Sequence, residues 1–408
     1  MTCLDWSLTR PIKVMNVETK PDSIKPELEL GPIRPPSEER SLLIRVTRNC
    51  PWNQCKFCRT FKGHRFGLRS VAEVRQDIVA AKAVRDRFLE LFPKSGCGRA
   101  GEIACAFDHA SGVTARNVAN WLGGGGKSAF LQDANTLIMP VDDLVGVIKF
   151  LKETLPSITR VTTYGRSRTA VKRSIEELTR LHEAGLARIH IGLESGYDPL
   201  LAFMNKGATA DEHIKGGTKI VASGISLCEY VILGLGGVKM WREHAVETAR
   251  VINEINPEYI RLRTLAISDD MPLYKEVESG TFVRMTDEQV IEEEKLFIQN
   301  LDCHSILVSD HATDLLQEIG GRLPKDKDRM LSVIDRFQSL PPIERAIFRM
   351  GRRLRMYDRL DDLNDPNQSE AVERIMARLG QDSKKGLDEN VIYKLMERSV
   401  RWRLQNVR

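Results

Sequence analysis

The sequence predicts an α/β fold: a partial (β/α)6-type TIM barrel with an N-terminal arm and a helical C-terminal region. Three observations predict it. Six apolar runs alternate with helical spacings between residues 128 and 308. An earlier apolar run, Leu42–Val46, supplies a first strand. No dinucleotide fingerprint marks a doubly wound sheet, so repeated βαβ units are read as a barrel.

Residues 1–40 read as an extended arm, broken by Pro11, Pro21, Pro26, Pro32, Pro35 and Pro36. Residues 41–310 form the barrel region. After the first strand, 69–91 has helical spacing and a Gly-rich stretch, about 94–127, reads as irregular. The later strands are expected at 128–133, 159–164, 187–193, 227–233, 258–265 and about 303–308. Helices are expected at 141–154, 171–184, 211–223 and 241–254. From about 310 the strand signal stops, and 311–408 reads as helices at 326–338, 342–360, 368–379 and 387–400.

Composition narrows the function classes. The 408 residues are 42% hydrophobic and 29% charged, which excludes wholesale disorder and a membrane bundle. No apolar run approaches the roughly 20 residues of a spanning helix. Met1–Arg10 lacks a secretory pattern, so a cytoplasmic location with reduced thiols is expected. The net charge of +5 is concentrated as a small basic excess at the C-terminal end. There Arg345, Arg349, Arg352, Arg353, Arg355 and Arg359 crowd one predicted helix. A solvated or ion-paired face is the favoured reading, and without interleaved aromatics nucleic acid is not favoured.

The strongest chemical signal is Cys50-Pro-Trp-Asn-Gln-Cys55-Lys-Phe-Cys58, directly after the first strand. Three thiolates on one loop suit a cubane of four irons, one sulfur to each of three irons. Structural zinc is the competitor, with His64 as a fourth ligand, but it usually needs paired knuckles. Cys3, Cys97, Cys105, Cys228 and Cys303 form no second tight cluster. The run Gly123–Gly126 before Lys127-Ser128 is a decoy: Trp121 occupies the first phosphate-loop glycine position, and a strand follows.

The cysteine loop resembles that of the radical S-adenosylmethionine superfamily, usually Cys-x3-Cys-x2-Cys with an aromatic before the third cysteine. Phe57 fills the aromatic place, while four residues rather than three separate Cys50 from Cys55. The resemblance implies a [4Fe–4S] cluster held by Cys50, Cys55 and Cys58, with S-adenosyl-L-methionine on the fourth iron. It further implies reductive cleavage to a 5′-deoxyadenosyl radical that abstracts hydrogen from the substrate. A small molecule or cofactor precursor is the favoured substrate, with a reductant such as flavodoxin or ferredoxin. An RNA- or protein-modifying enzyme and a non-catalytic iron–sulfur or zinc module remain as alternatives, and no catalytic residue is assigned.

Softer positions accompany the loop. Where the family has Gly-Gly-Glu, this chain has Gln132-Asp133-Ala134-Asn135, so Asp133 or Asn135 is the expected acceptor for the methionine ammonium. Glu194, ending Ile-Gly-Leu-Glu-Ser-Gly, looks like a ribose or substrate contact, and Lys206 a partner for a carboxylate. Ile232 and Gly234 match the family's adenine motif, although Tyr230 replaces its first glycine and Val238 its final glutamate. Arg261 and Arg263 share one strand face, and inside a barrel they need an anion. Arg263 is the favoured cofactor contact of the two.

Overall fold

Each apolar run becomes a strand of one sheet. The computed structural model describes residues 27–91 and 112–405. The first 26 residues of the arm, and residues 92–111 with Cys97 and Cys105, lie outside the described residues. The strands are β1 (Leu42–Arg45), β2 (Thr47–Arg48), β3 (Gly67–Leu68), β4 (Ser128–Gln132), β5 (Arg160–Gly165), β6 (Leu186–Glu194), β7 (Ser226–Leu233), β8 (Tyr259–Thr264), β9 (Ile306–Val308) and β10 (Gly320–Arg322). The main sheet runs β1-β4-β5-β6-β7-β8-β9-β10, with every pair from β1·β4 to β8·β9 parallel. It is an open, partial barrel.

The helices are α1 (Val71–Leu91), α2 (Val113–Gly123), α3 (Val141–Thr154), α4 (Ser167–Val171), α5 (Ile175–Ala184), α6 (Asp198–Phe203), α7 (Ala210–Ala222), α8 (Gly237–Ile255), α9 (Pro272–Glu278), α10 (Asp287–Gln299), α11 (Lys327–Ser339), α12 (Pro342–Arg353), α13 (Pro366–Arg378) and α14 (Glu389–Gln405). Their starts have local causes. Ser174, Thr209 and Thr286 each close a capping box, with Glu177, Glu212 and Gln289 reaching back. The Ser174 cap divides the expected helix 171–184 into α4 and α5.

Three expectations need correction. Residues 113–123 of the Gly-rich stretch form α2, which buries Val118 and Trp121 against the core. Strand structure does not stop at 310, because β10 adds an antiparallel edge to β9. The helix expected at 342–360 ends at Arg353, and Arg355 takes a left-handed φ of 61°. The C-terminal helices share the barrel's core: Ile334, Phe348 and Tyr357 belong to the same buried cluster as Leu131 and Ile252. Among the described residues, no helix is long and apolar enough to cross a membrane.

The described part of the arm runs along the lumen wall. Ala129 and Leu131 of β4 face the helices in the main core, so period two turns Ser128, Phe130 and Gln132 inward. The Gln132 side chain accepts from Gly31 N at 2.9 Å and donates to the Ile33 carbonyl at 2.9 Å. Further along, Glu38 is fully buried at the opening strand ends. Its carboxylate accepts two bonds from Arg160 and one from Ser41, and it lies 3.5 Å from His190 Nε2. The arm thus passes from the mouth, where Glu29 pairs with Arg45 and Arg48, to the floor.

Candidate active site

The three cysteines lie on the loop between β2 and β3, which follows β1 at the C-terminal mouth, where such barrels carry their sites. All three are free and half-buried. Asn53 adopts a left-handed φ of 50°, a conformation Asn tolerates, and its side-chain amide donates to the Phe61 carbonyl. This turn folds the four-residue gap back, so that Asn53 N approaches Cys50 Sγ at 3.5 Å. The loop is pinned on both sides. Lys56 N donates to the Met204 carbonyl and Leu273 N to the Lys56 carbonyl, each at 2.9 Å. Trp52 Nε1 donates to the Asn205 carbonyl at 2.7 Å. Gly207 is required there: at φ +68°, any Cβ would stand 2.3 Å from the Trp52 ring.

Burial pushes the Cys55 and Cys58 thiols up; Lys206 and Arg166 pull Cys55 the other way. Among the described residues, no three His, Cys, Asp or Glu side chains are grouped to hold a single metal ion. His64 is exposed, so it does not complete a zinc set. A cubane makes a different demand, since each thiolate takes its own iron. Three free thiols on one anchored loop fit that demand.

Glu194 ends β6 with a φ of 66°, uncommon for a non-glycine residue. Its Oε1 accepts from Lys206 Nζ at 2.9 Å, both side chains being nearly buried. The pair lies above Gly192, where an added Cβ would stand 2.0 Å from Glu194 Oε1. Lys206 also caps the Phe57 ring at 5.8 Å, and its carbonyl oxygen is 3.9 Å from Cys55 Sγ. Residues far apart in sequence thus gather beside the loop. Arg166, not singled out as a site residue, reinforces them: it donates to the Lys206 carbonyl at 3.1 Å and lies over Trp52.

The remaining expected positions divide. Phe57 and Ile232 pack on a second apolar cluster at the mouth, built on Leu200, Met204, Leu235 and Leu273. Gly234 turns at φ +78°, and its N–H donates to Glu293 at 2.5 Å. Asp133 is fully buried; its Oδ2 accepts from Arg45 and from Asn49 N, while Oδ1 has no partner. Asn135 is fully engaged. It donates to Thr169 Oγ1 at 2.8 Å and accepts from Arg166 N at 3.1 Å, which straps β4 to the turn before α4.

Both strand arginines face the lumen, because Tyr230 pairs with Arg261 and Ile232 with Arg263. They close a belt of rings in which Phe130, Tyr164, His190 and Tyr230 meet edge-on or tilted. Arg263 lies 4.7 Å over the Tyr230 ring. Burial holds His190 down at about 4, despite Glu38, and pushes the Tyr230 hydroxyl well up.

Sequence gave no sign of a buried chain behind the mouth. Ser195 and Thr248 meet His244 Nδ1 at 2.9 and 3.0 Å. His244 Nε2 contacts the Ile232 carbonyl at 3.0 Å and lies 3.4 Å from Glu293. Burial pushes Glu293 up, to about 8, and His244 down, to about 4. The chain ties α8 and α10 to the ends of β6 and β7. One lone His and one lone Glu have no spacing that could announce it.

The arginine cluster, expected to be solvated or ion-paired, divides: Arg355 and Arg359 are exposed. Arg349, Arg352 and Arg353 of α12 are buried. Arg353 and Arg349 converge on Asp287, Arg349 also meets Glu389 at 2.6 Å, and Arg352 donates to main-chain carbonyls of residues 314, 315 and 357.

The chain matches no protein-family model and no curated protein. Among solved structures it is similar to Elp3 of Methanocaldococcus infernus, at 13% identity and a TM-score of 0.40, over 68% of this chain and 61% of that one. It is also similar to the methylornithine synthase PylB, at 14% identity and a TM-score of 0.38, over 64% and 63%. A third is the Escherichia coli coproporphyrinogen III oxidase HemN, a radical SAM enzyme, at 14% identity and a TM-score of 0.37, over 59% and 51%. The alignments thus span less than two thirds of the length of each of these three proteins.

Proposed function

We propose that the protein is a radical S-adenosylmethionine enzyme acting on a small molecule or cofactor precursor. The observation that carries this reading is the anchored Cys50–Cys58 loop at the mouth of a parallel barrel. Cys50, Cys55 and Cys58 would hold a [4Fe–4S] cluster. Bound there, the cluster would supply the electron, drawn from a flavodoxin- or ferredoxin-type donor, that cleaves the sulfonium of S-adenosylmethionine to a hydrogen-abstracting radical.

This chain's residues bind and orient. Lys206 offers a cation to the methionine carboxylate, and Glu194 accepts ribose hydroxyl hydrogens. Asp133 Oδ1 is the acceptor proposed for the methionine ammonium, with Asn135 holding the strand end behind it. Phe57, Ile232 and the Gly234 turn form the apolar side on which a flat base can lie. Reduced thiols and this chemistry agree with a cytoplasmic location. The RNA- or protein-modifying alternative draws less support from the arginine cluster, because Arg349 and Arg353 of α12 have partners within the chain.

Anaerobic reconstitution with iron and sulfide, followed by reduction and addition of S-adenosylmethionine, tests the reading. About four irons per chain and 5′-deoxyadenosine are expected, both lost in Cys55→Ala. Zinc uptake without iron sinks the proposal.

A further inference from the structure

We infer that the lumen receives an anionic substrate, whose carboxylate or phosphate group is held by Arg261, Arg263 and the Tyr230 hydroxyl. This names the substrate class for the radical reading above and rests on it.

The argument begins with groups left without partners. Arg261 is only 8% exposed. Among the described residues its one ion pair is a 3.2 Å approach of Nη1 to the exposed Asp310, and the geometry leaves Nε and Nη1 without hydrogen bonds. Arg263 has no ion pair among the described residues; it stacks on Tyr230, and its buried Nε has no partner. The Tyr230 hydroxyl, in a residue 5% exposed, has none either. A guanidinium cannot shed its proton to escape burial, and an unpaired buried charge costs several kcal/mol.

The nearby carboxylates make no bond to either arginine apart from Asp310: buried Asp314, which favours the charged form of Arg263, accepts from Thr264, Ser309 and His311 N. Glu194 holds Lys206, Asp133 holds Arg45, and Glu38 holds Arg160. The arm brings a third guanidinium, Arg34, whose nearest carboxylate is Glu39 at 3.8 Å, mostly exposed. The lumen is thus short of negative charge, and its donors are planar forks suited to a carboxylate or phosphate. The ring belt gives the rest of such a substrate an apolar wall. Arg188, at the floor, is the contrast: it donates to Ser226 Oγ at 2.8 Å, stacks on Tyr259 at 3.8 Å and reaches Glu258.

Titration calorimetry of the full chain, with and without its cluster, tests the inference using two probes: succinate for carboxylates and inorganic pyrophosphate for phosphates. Saturable binding of at least one is expected, and the better one identifies the source of the anion. Arg261→Gln and Arg263→Gln are expected to raise Kd about tenfold or more, since a charged hydrogen bond is lost. Tyr230→Phe, which removes one oxygen and no packing, is expected to raise Kd about threefold. Arg188→Gln should leave it unchanged. If Arg263→Gln fails to fold, Arg263→Lys and Tyr230→Phe carry the test. No saturable binding of either probe, or equal affinity in all variants, overturns the inference. Binding needs no turnover, so the two readings fail separately. Deoxyadenosine without anion binding removes only the anionic substrate; anion binding without iron uptake removes the radical reading and keeps the site.

Discussion

Two groups of arginines turn inward, buried on α12 and buried or half-buried on β8, and lie in opposite electrostatic settings. On α12, Arg349 and Arg353 converge on Asp287, with Glu389 completing the set and carbonyls taking the other donors. On β8, Arg261 meets only the exposed Asp310, and Arg263 has no ion pair among the described residues. Burial alone therefore says little about what an arginine does; whether its charge is answered inside the chain separates a latch from a receptor. The α12 set holds the helical region to α10, while the β8 pair leaves donors for a molecule from outside.

The largest expected effect breaks the latch. Asp287→Ala strands the buried Arg353 guanidinium and leaves Arg349 with Glu389 alone; it should lower the unfolding free energy by about 3–5 kcal/mol, read from denaturant melts. Arg263→Met removes a charge with no partner, and in ligand-free protein it should stay within about 1 kcal/mol of the parent or exceed it. Equal losses in both would abolish the distinction.

Acid should also separate the regions, and the signs can be worked out. Burial lowers His190 from 6.5 to about 4, so the unfolded chain takes the proton first and this contribution fades as pH falls from 6.5 to 4. Burial pushes Asp287 up, but Arg353 and Arg349 outweigh it and hold its pKa below 3.8, so Asp287's share of the latch weakens only below that pH. Glu38, taken down to about 2 by His190 and Arg160 against burial, keeps its share until the fall from 4.5 to 2. Hydrogen exchange at stepped pH should show the His190 end of the lumen loosening before α12; the reverse order would place the weaker contacts on the latch.

Smaller effects set the scale. Thr209→Ala removes the α7 capping box and should cost about 1 kcal/mol. Lys215→Ala breaks an exposed pair with Asp211, 2.7 Å apart, and should change stability by less than about 0.5 kcal/mol. A larger loss at Lys215 than at Asp287 would overturn the view that desolvation makes pairing matter.

How much of this was legible follows from the range of the forces. Strands buried on both faces read as continuous apolar runs, so β4 to β9 emerge near their expected places, and α3 at its expected bounds. The cysteine loop is local, and its signal is local too. The fate of Arg353 is decided by Asp287, 66 residues away, and no spacing within α12 reports it. The Gly-rich stretch hid α2, because its apolar face is defined by α1 and β1 rather than by its own weak pattern. Lys206 was legible as a partner for a carboxylate, but not its place: only the folding of α6 sets it between Glu194 and Phe57.

The path of the arm has a consequence in time. Its contacts reach forward to Thr114, Gln132 and Arg160, 86, 101 and 122 residues later. On the ribosome, Glu38 emerges well before the strand that carries His190. At about 5–20 residues per second that wait lasts roughly 8–30 s. A segment made early must therefore stay unattached until the walls of its slot exist, and the lumen is completed by the part of the chain that has waited longest.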